Sequence, residues 1–428
     1  MAITFLFKAR QSPLPYTASP LKLLWADILL VLKSLWYLPG IVFPITPWNS
    51  GELDELYPSK ENILSLVVHI CLALCQVFFL LSLLVCLFMQ VPALWILLYI
   101  VVFLWVNNVI CGWFFNGEEK ILESDVPIQP KPEHERERWI FINGVAVGHH
   151  WVQHSIDRLS YTFGRKVIGV HNPTDGLVFD IIECLAQRNF TFATPDTRYG
   201  YAITKKTLLD PQYEKVVLIL HSQGGIEGGL IIDWLLAELP QELLQKLEVY
   251  TFGNAANHFN NPYKSVIASQ SESSDRSENH GSNDSVPGEK SVLHIEHYAN
   301  KFDFVCVWGV LHFFGVPNRY MGRVFVRPGT GHQFNQHYLD TMFMLGPDRK
   351  VQDSNEFMEM EVNSSNCTGV PFYSAKSDRE DKVLVVGENR LQEGNSLNGS
   401  FVNGIRRPVK VKDLSRLWQY RNGASPMD

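Results

Sequence analysis

The chain has 428 residues, 46% of them hydrophobic and 19% charged, with a net charge of −7. That length exceeds the usual single domain, so one catalytic unit of roughly 200 to 250 residues with appended segments is expected. Lysines and arginines are scattered without forming a basic face, which argues against nucleic acid as a partner.

Of the seven cysteines, Cys71, Cys75, Cys86 and Cys111 lie in apolar stretches. No disulfide framework or metal-ligand spacing can be read from the set, and no metal or cofactor is expected. The opening MAITFLFKAR lacks a basic start, an apolar middle and a small-residue cleavage site, so no cleaved signal is expected.

Residues 1–62 form a first segment in which 21–48 is apolar but carries Lys22, Asp27 and Lys33 and is interrupted by Pro39 and Pro44. It reads as interfacial, or at most as a weak third span. Residues 63–116 contain no Asp, Glu, Lys or Arg and are broken at Gln90-Val91-Pro92. Each arm exceeds the roughly 20 apolar residues that cross a bilayer, so two transmembrane helices over 64–89 and 93–115 are predicted, paired as a hairpin. Basic residues precede and follow the hairpin, which favours a cytosolic face for both ends, in the endoplasmic reticulum or another endomembrane. Asn-x-Ser/Thr triplets at Asn189, Asn283, Asn363, Asn366 and Asn398 argue only weakly for a lumenal location.

A charged linker over 117–138 leads to a region, 139–350, where short apolar runs alternate with amphipathic segments. That alternation predicts an α/β domain with a mostly parallel sheet covered by helices. Strands are predicted over 139–143, 166–170, 216–220, 247–252, 292–298 and 323–326, and helices over 151–162, 177–187, 225–239 and 335–344. The polar, low-complexity stretch 268–290 is predicted to be a disordered insertion, and 351–428 a mostly disordered tail with a short helix over 411–420.

The run VVLILHSQGG, residues 216–225, reads as a buried strand entering a sharp turn and then a helix, the context of a nucleophile elbow around Ser222. Gly224 and Gly225 supply small residues after the serine, but Leu220 stands where a glycine is usual two residues before it. A phosphate loop is excluded, because neither G-x-G-x-x-G nor Gly-Lys-Ser/Thr is present. A serine hydroxyl needs a base and an orienting acid, which in this type of domain follow in the order acid, then histidine. Asp303, in the loop after a predicted strand, is the candidate acid; Glu296 lies within that strand, and Asp340 falls after the first histidine candidate. His332 is the preferred base, with His337 as the alternative. The oxyanion donors expected are the backbone N–H groups of Gln223 and of Val145 in the loop INGVAVG.

Together, FINGVAVG, HNPTDGLVFD, LILHSQGG, VYTFGNAANHF, NKFDFV and GTGHQFNQHYLD resemble fungal α/β-hydrolase-like proteins related to the lipase and serine-esterase group, over about half the chain. VYTFG followed by a later Asp loop is similar to the corresponding stretch of class 3 lipases. The resemblance implies an α/β-hydrolase fold and a serine nucleophile. With the apolar hairpin it implies acyl hydrolysis or transfer on a lipid or lipophilic ester. The competing expectation is a catalytically silent hydrolase fold acting as a membrane scaffold or tether; a thiol enzyme built on Cys306 lacks an elbow.

Overall fold

The structure, a computed structural model, describes residues 14–129, 131–263, 290–316, 319–364, 383–386, 401–402, 405–406 and 408–427. The predicted insertion, apart from Lys290, and much of the predicted tail lie outside these residues. The chain is an α/β protein built on one mostly parallel sheet, with two apolar helices ahead of it.

Nine strands form the sheet: β1 (Ile121–Glu123), β2 (Glu137–Ile142), β3 (Val167–Val170), β4 (Lys215–His221), β5 (Leu247–Phe252), β6 (His294–Asn300), β7 (Arg323–Arg327), β8 (Val362–Ser364) and β9 (Val383–Val386). Their order is β1-β3-β2-β4-β5-β6-β7-β9-β8. From β3 through β7 every pairing is parallel, while β1 runs antiparallel to β3, β9 antiparallel to β7, and β8 parallel to β9. Continuous runs such as Val216-Val217-Leu218-Ile219-Leu220, buried throughout, are what a strand covered on both faces requires.

The helices used below are α1 (Pro20–Ser34), α2 (Lys60–Phe88), α3 (Ala93–Cys111), α4 (His149–Phe163), α5 (Leu177–Phe190), α6 (Pro195–Leu209) and α7 (Gly224–Glu238). Helices α2 and α3 are long and apolar enough to cross a membrane and are mostly exposed. Their few polar side chains dock on the α/β domain. Gln76 and Asn107 bond to each other at 2.9 Å, and both donate to the Asp175 carbonyl, at 2.7 and 2.8 Å. Asn62 accepts from the Trp151 indole at 2.7 Å. The isolated Gln and Asn of an apolar helix are thus explained by a partner outside the hairpin.

Segments near both ends of the chain pack on the α/β domain. Residues 14–57 are part of the α/β unit: Leu30 of α1 belongs to the same hydrophobic core as the sheet. Buried Asp27 pairs with buried Arg188 at 2.9 Å and accepts from Asn189 at 2.8 Å. At the other end, the predicted 411–420 helix is realised as two short turns, Val411–Leu414 and Leu417–Gly423, that pack at the first residues of the central strands β5 and β6. Arg416 donates to Glu248 at 2.8 Å, and Tyr420, fully buried, donates to the same carboxylate at 2.8 Å. Desolvation of Glu248 is outweighed by Arg416, Lys215 and the Tyr250 hydroxyl, and its carboxyl sits below its ordinary pKa.

Tyr420 also meets Trp139 edge-on, with ring centroids 5.1 Å apart. Tyr420→Ala is expected to lower stability by about 3 kcal/mol or more, as deletion of a large buried ring does. Denaturant unfolding of the solubilised protein measures this, and a loss near zero would mean that the C-terminal segment is not part of the core.

Candidate functional site

Strand β4 ends at His221, and α7 begins at Gly224, so Ser222 occupies a two-residue turn between them. Its φ is +57°, a left-handed conformation that a residue with a side chain adopts at a cost. The turn is pinned from both sides: Ser222 N–H donates to the Phe252 carbonyl at 3.0 Å, and its own carbonyl accepts from Gly225 and Ala255 at 3.0 and 3.1 Å. A Cβ on Gly144 would lie 2.4 Å from the Ser222 Cβ, and one on Gly224 would lie 2.5 Å from the Ile142 carbonyl oxygen. Glycine is therefore required where the β2 loop crosses the elbow.

Leu220, the departure from the usual pattern, is accommodated by a glycine elsewhere. A Cβ on Gly228, one turn into α7, would fall 2.1 Å from a Leu220 methyl. The leucine fills the space that Gly228 leaves, so the usual small residue has moved from strand to helix.

The structure brings the three predicted residues together. His332 Nε2 is 2.9 Å from Ser222 Oγ, and His332 Nδ1 is 2.7 Å from Asp303 Oδ2. With Nδ1–H donating to the carboxylate, Nε2 is left to accept the serine proton. Asp303 is fully buried and also accepts from the Tyr338 hydroxyl at 2.7 Å and the Val305 N–H at 2.8 Å. Cys306 thiol, 3.4 Å from the same carboxylate, is driven well above its ordinary pKa by burial, so it is not set up as a thiolate nucleophile.

His337, the alternative base, is used otherwise. Its Nδ1 accepts from the Gln333 N–H at 3.0 Å and its Nε2 donates to the Pro44 carbonyl at 2.9 Å. Both nitrogens are committed, and burial lowers its pKa, which keeps the ring neutral. His221 is likewise buried, with a pKa far below the ordinary value because of burial; its Nε2–H donates to the His332 carbonyl at 2.9 Å. No family model, curated protein or solved structure matches the chain.

Segment 40–56, which the sequence assigns to a separate N-terminal region, clasps the His332 loop. The carbonyls of Gly40 and Ile41 accept from Gly331 and His332 at 3.0 and 3.2 Å. The Glu55 carboxylate accepts the buried N–H groups of Asn335 and Gln336, at 2.9 and 3.1 Å, where the helical turn Phe334–Leu339 begins. Nothing in the spacing of 40–56 announces this role, which depends on contacts about 290 residues away.

The two expected oxyanion residues flank the serine. Neither Gln223 N–H nor Val145 N–H has a hydrogen-bond partner among the described residues. Both loops are held by a buried polar network. Asn143 and Asn172 bond reciprocally at 2.8 and 2.9 Å, and Asn172 reaches the Gln223 and Glu227 side chains at 2.9 and 2.8 Å. Gln223 donates to Glu183 at 2.9 Å. Asp180 accepts from the Ala146 N–H at 2.8 Å, fixing the β2 loop beside Val145. These supports were missed in the sequence because single Asn, Glu and Asp residues on helices and loops carry no spacing signal. No three His, Cys, Asp or Glu side chains among the described residues are grouped to hold a metal ion.

Two outcomes follow for this network and for the elbow. Gly228→Ala should destabilise the protein by about 1 to 3 kcal/mol through overpacking, and adding Leu220→Ala should restore part of that loss. Thermal melts of the two single variants and the double variant measure the coupling; strict additivity would contradict the exchange of space between these positions. Burial and the neighbouring acids Asp196 and Asp180 raise Glu183 from 4.5 to about 7. A raised carboxyl pKa contributes stability that is full below the unfolded value and is lost as pH rises through the folded one. Wild type should therefore lose more melting temperature than Glu183→Gln between about pH 5 and about pH 8, and equal losses would show that Glu183 ionises freely.

Proposed function

We propose that this chain is a membrane-anchored serine hydrolase of the α/β-hydrolase fold that cleaves or transfers the acyl group of a lipid or lipophilic ester. The observation that carries the reading is the unbroken hydrogen-bond chain from Ser222 through His332 to buried Asp303, starting at a serine in the left-handed conformation on a strand-to-helix turn.

In this reading Ser222 Oγ attacks the acyl carbonyl carbon while His332 Nε2 takes the hydroxyl proton. Asp303 holds the Nδ1–H and stabilises the imidazolium that forms. The oxyanion is held by the backbone N–H groups of Gln223 and Val145. Collapse of the tetrahedral intermediate breaks the bond to the leaving alcohol, which leaves with the proton from His332, and an acyl-serine remains. Water or a second alcohol then attacks, again deprotonated by His332, and Ser222 is regenerated with its proton. No cofactor takes part in these steps.

The anchor supports the substrate class. Helices α2 and α3 leave and return to the same domain, so both hairpin ends lie on one side of the membrane, read here as the cytosolic side of the endoplasmic reticulum or another endomembrane. An esterase held there meets substrates that partition into the lipid phase.

The test is hydrolysis of p-nitrophenyl esters of increasing acyl length by the full chain in vesicles. Wild type should turn over the long-chain esters, Ser222→Ala should lose roughly 10⁶-fold in kcat, and Asp303→Asn roughly 10⁴-fold. His337→Gln should retain far more activity than His332→Gln. Absence of turnover by folded wild type on every ester would refute the enzyme and favour a scaffold.

A further inference from the structure

Helix α5 is amphipathic in the wrong sense for a helix that faces water, and α1 beside it exposes large apolar side chains interspersed with Lys22 and Lys33. On α1 the residues turned into the protein are Leu23, Asp27, Leu30 and Ser34, spaced along one face. The opposite stripe carries Leu21, Trp25 and Leu32, which are 70%, 63% and 56% exposed. On α5 the buried residues are Asp180, Cys184, Gln187, Arg188 and Asn189, whereas Leu177, Ile181 and Ile182 are exposed. Helix α5 buries every charged and amide side chain except the half-buried Glu183, and α1 buries Asp27 against Arg188 and Asn189 while Lys22 and Lys33 stay at its surface; both turn aliphatic or aromatic side chains outward. A soluble surface helix does the reverse.

Helix α5 also adjoins the hairpin. Phe179 meets Phe79 and Phe103 edge-on, with centroids 6.3 and 6.2 Å apart. The α2 face that packs on the domain is buried from Asn62 as far as Phe79, and no residue from 80 to 106 is buried. Beyond Phe79 and Phe103, the rings that meet Phe179, residues 80–88 and 93–102 form arms that are only roughly 14 and 15 Å long at a helical rise of about 1.5 Å per residue. The hydrocarbon core of a bilayer is about 30 Å thick. Arms of this length reach about half way across it. Beside the domain, the outer side of α2 remains apolar and exposed at Ile63, Val67, Ile70 and Leu74. If the apolar part of the hairpin lies in lipid, the flank of the domain must come down to lipid with it.

We infer that the outer faces of α1 and α5 are a lipid-contacting surface, so that the α/β domain is seated in the membrane surface beside the hairpin and does not hang from it in water. The exposed stripes on α1 and α5 then meet the headgroup and acyl boundary of the leaflet, where Trp25 has the amphipathic ring suited to that depth. Because α1 runs directly into the segment whose Gly40 and Ile41 carbonyls hold the His332 loop, a single 3₁₀ helix, Leu35–Ile41, joins the lipid surface to the site.

The inference rests on the hairpin lying in lipid and not on catalysis, and the experiment separates the two. Full-length wild type is placed one copy per phosphatidylcholine nanodisc and photolabelled with phosphatidylcholine carrying a diazirine in its acyl chain. Hydroxyl-radical footprinting is read residue by residue on the same sample. Label in residues 80–106 reports the hairpin. The expected result is lipid label also in peptides 21–36 and 177–192, with Trp25, Ile181 and Ile182 oxidised several-fold less than the exposed references Tyr263 and Leu293 after correction for intrinsic reactivity. Label confined to the hairpin, with α1 and α5 oxidised like the references, would overturn the inference. Protection of α1 and α5 without lipid label would overturn it too, since another protein surface would then cover them.

Discussion

A serine at φ +57° is held there only by its surroundings, because the left-handed conformation costs an L-residue with a Cβ roughly 1 kcal/mol or more. Those surroundings are backbone bonds and missing side chains. The Phe252 carbonyl and the Gly225 and Ala255 N–H groups fix both ends of the Ser222 peptide. Gly144 lets the β2 loop pass against the serine, and Gly253, itself at φ +58°, leaves room for the imidazole: a Cβ there would lie 2.8 Å from His332 Cε1. The position of the hydroxyl, the approach of the base and the setting of the two free N–H groups all depend on this one crowded crossing.

The base is fixed by different means. His332 sits in a loop, and its orientation depends on Asp303, on the His221 ring beneath its carbonyl, and on the strap formed by residues 40–56. Misplacing a catalytic group by about 1 Å can cost on the order of 100-fold in rate, so a strap that carries two backbone bonds to Gly331 and His332 is part of the site's geometry. The strap lies between α1 and the hairpin in sequence, so the chain that leads into the apolar helices also holds the His332 loop.

Much of the domain is legible in the sequence because its signals are local. The strand over 247–252 is found with the predicted bounds, and β2, β3, β4, β6 and β7 within two residues of theirs, since buried parallel strands are short apolar runs. Ser222, Asp303 and His332 come together as their order along the chain suggests. What is not legible depends on distance. Helix α6 is missed because Gly200 and the run Thr204-Lys205-Lys206-Thr207 blur its apolar face. Strand β1 is only three residues long, and the role of Glu55 or Arg416 shows only when residues about 280 or 168 apart are brought together. Leu220 looked like a flaw in the elbow because its compensation, Gly228, is visible only when strand and helix are packed.

The account stands on Ser222 being an activated nucleophile. Its most direct measurement is peptide mapping by mass spectrometry after the membrane-embedded protein reacts with a long-chain fluorophosphonate. The account predicts a single phosphonyl adduct on Ser222 that forms in wild type, disappears in Ser222→Ala and forms far more slowly in His332→Ala than in His337→Ala. An absent adduct in folded wild type, or one on another residue that persists in Ser222→Ala, would contradict it.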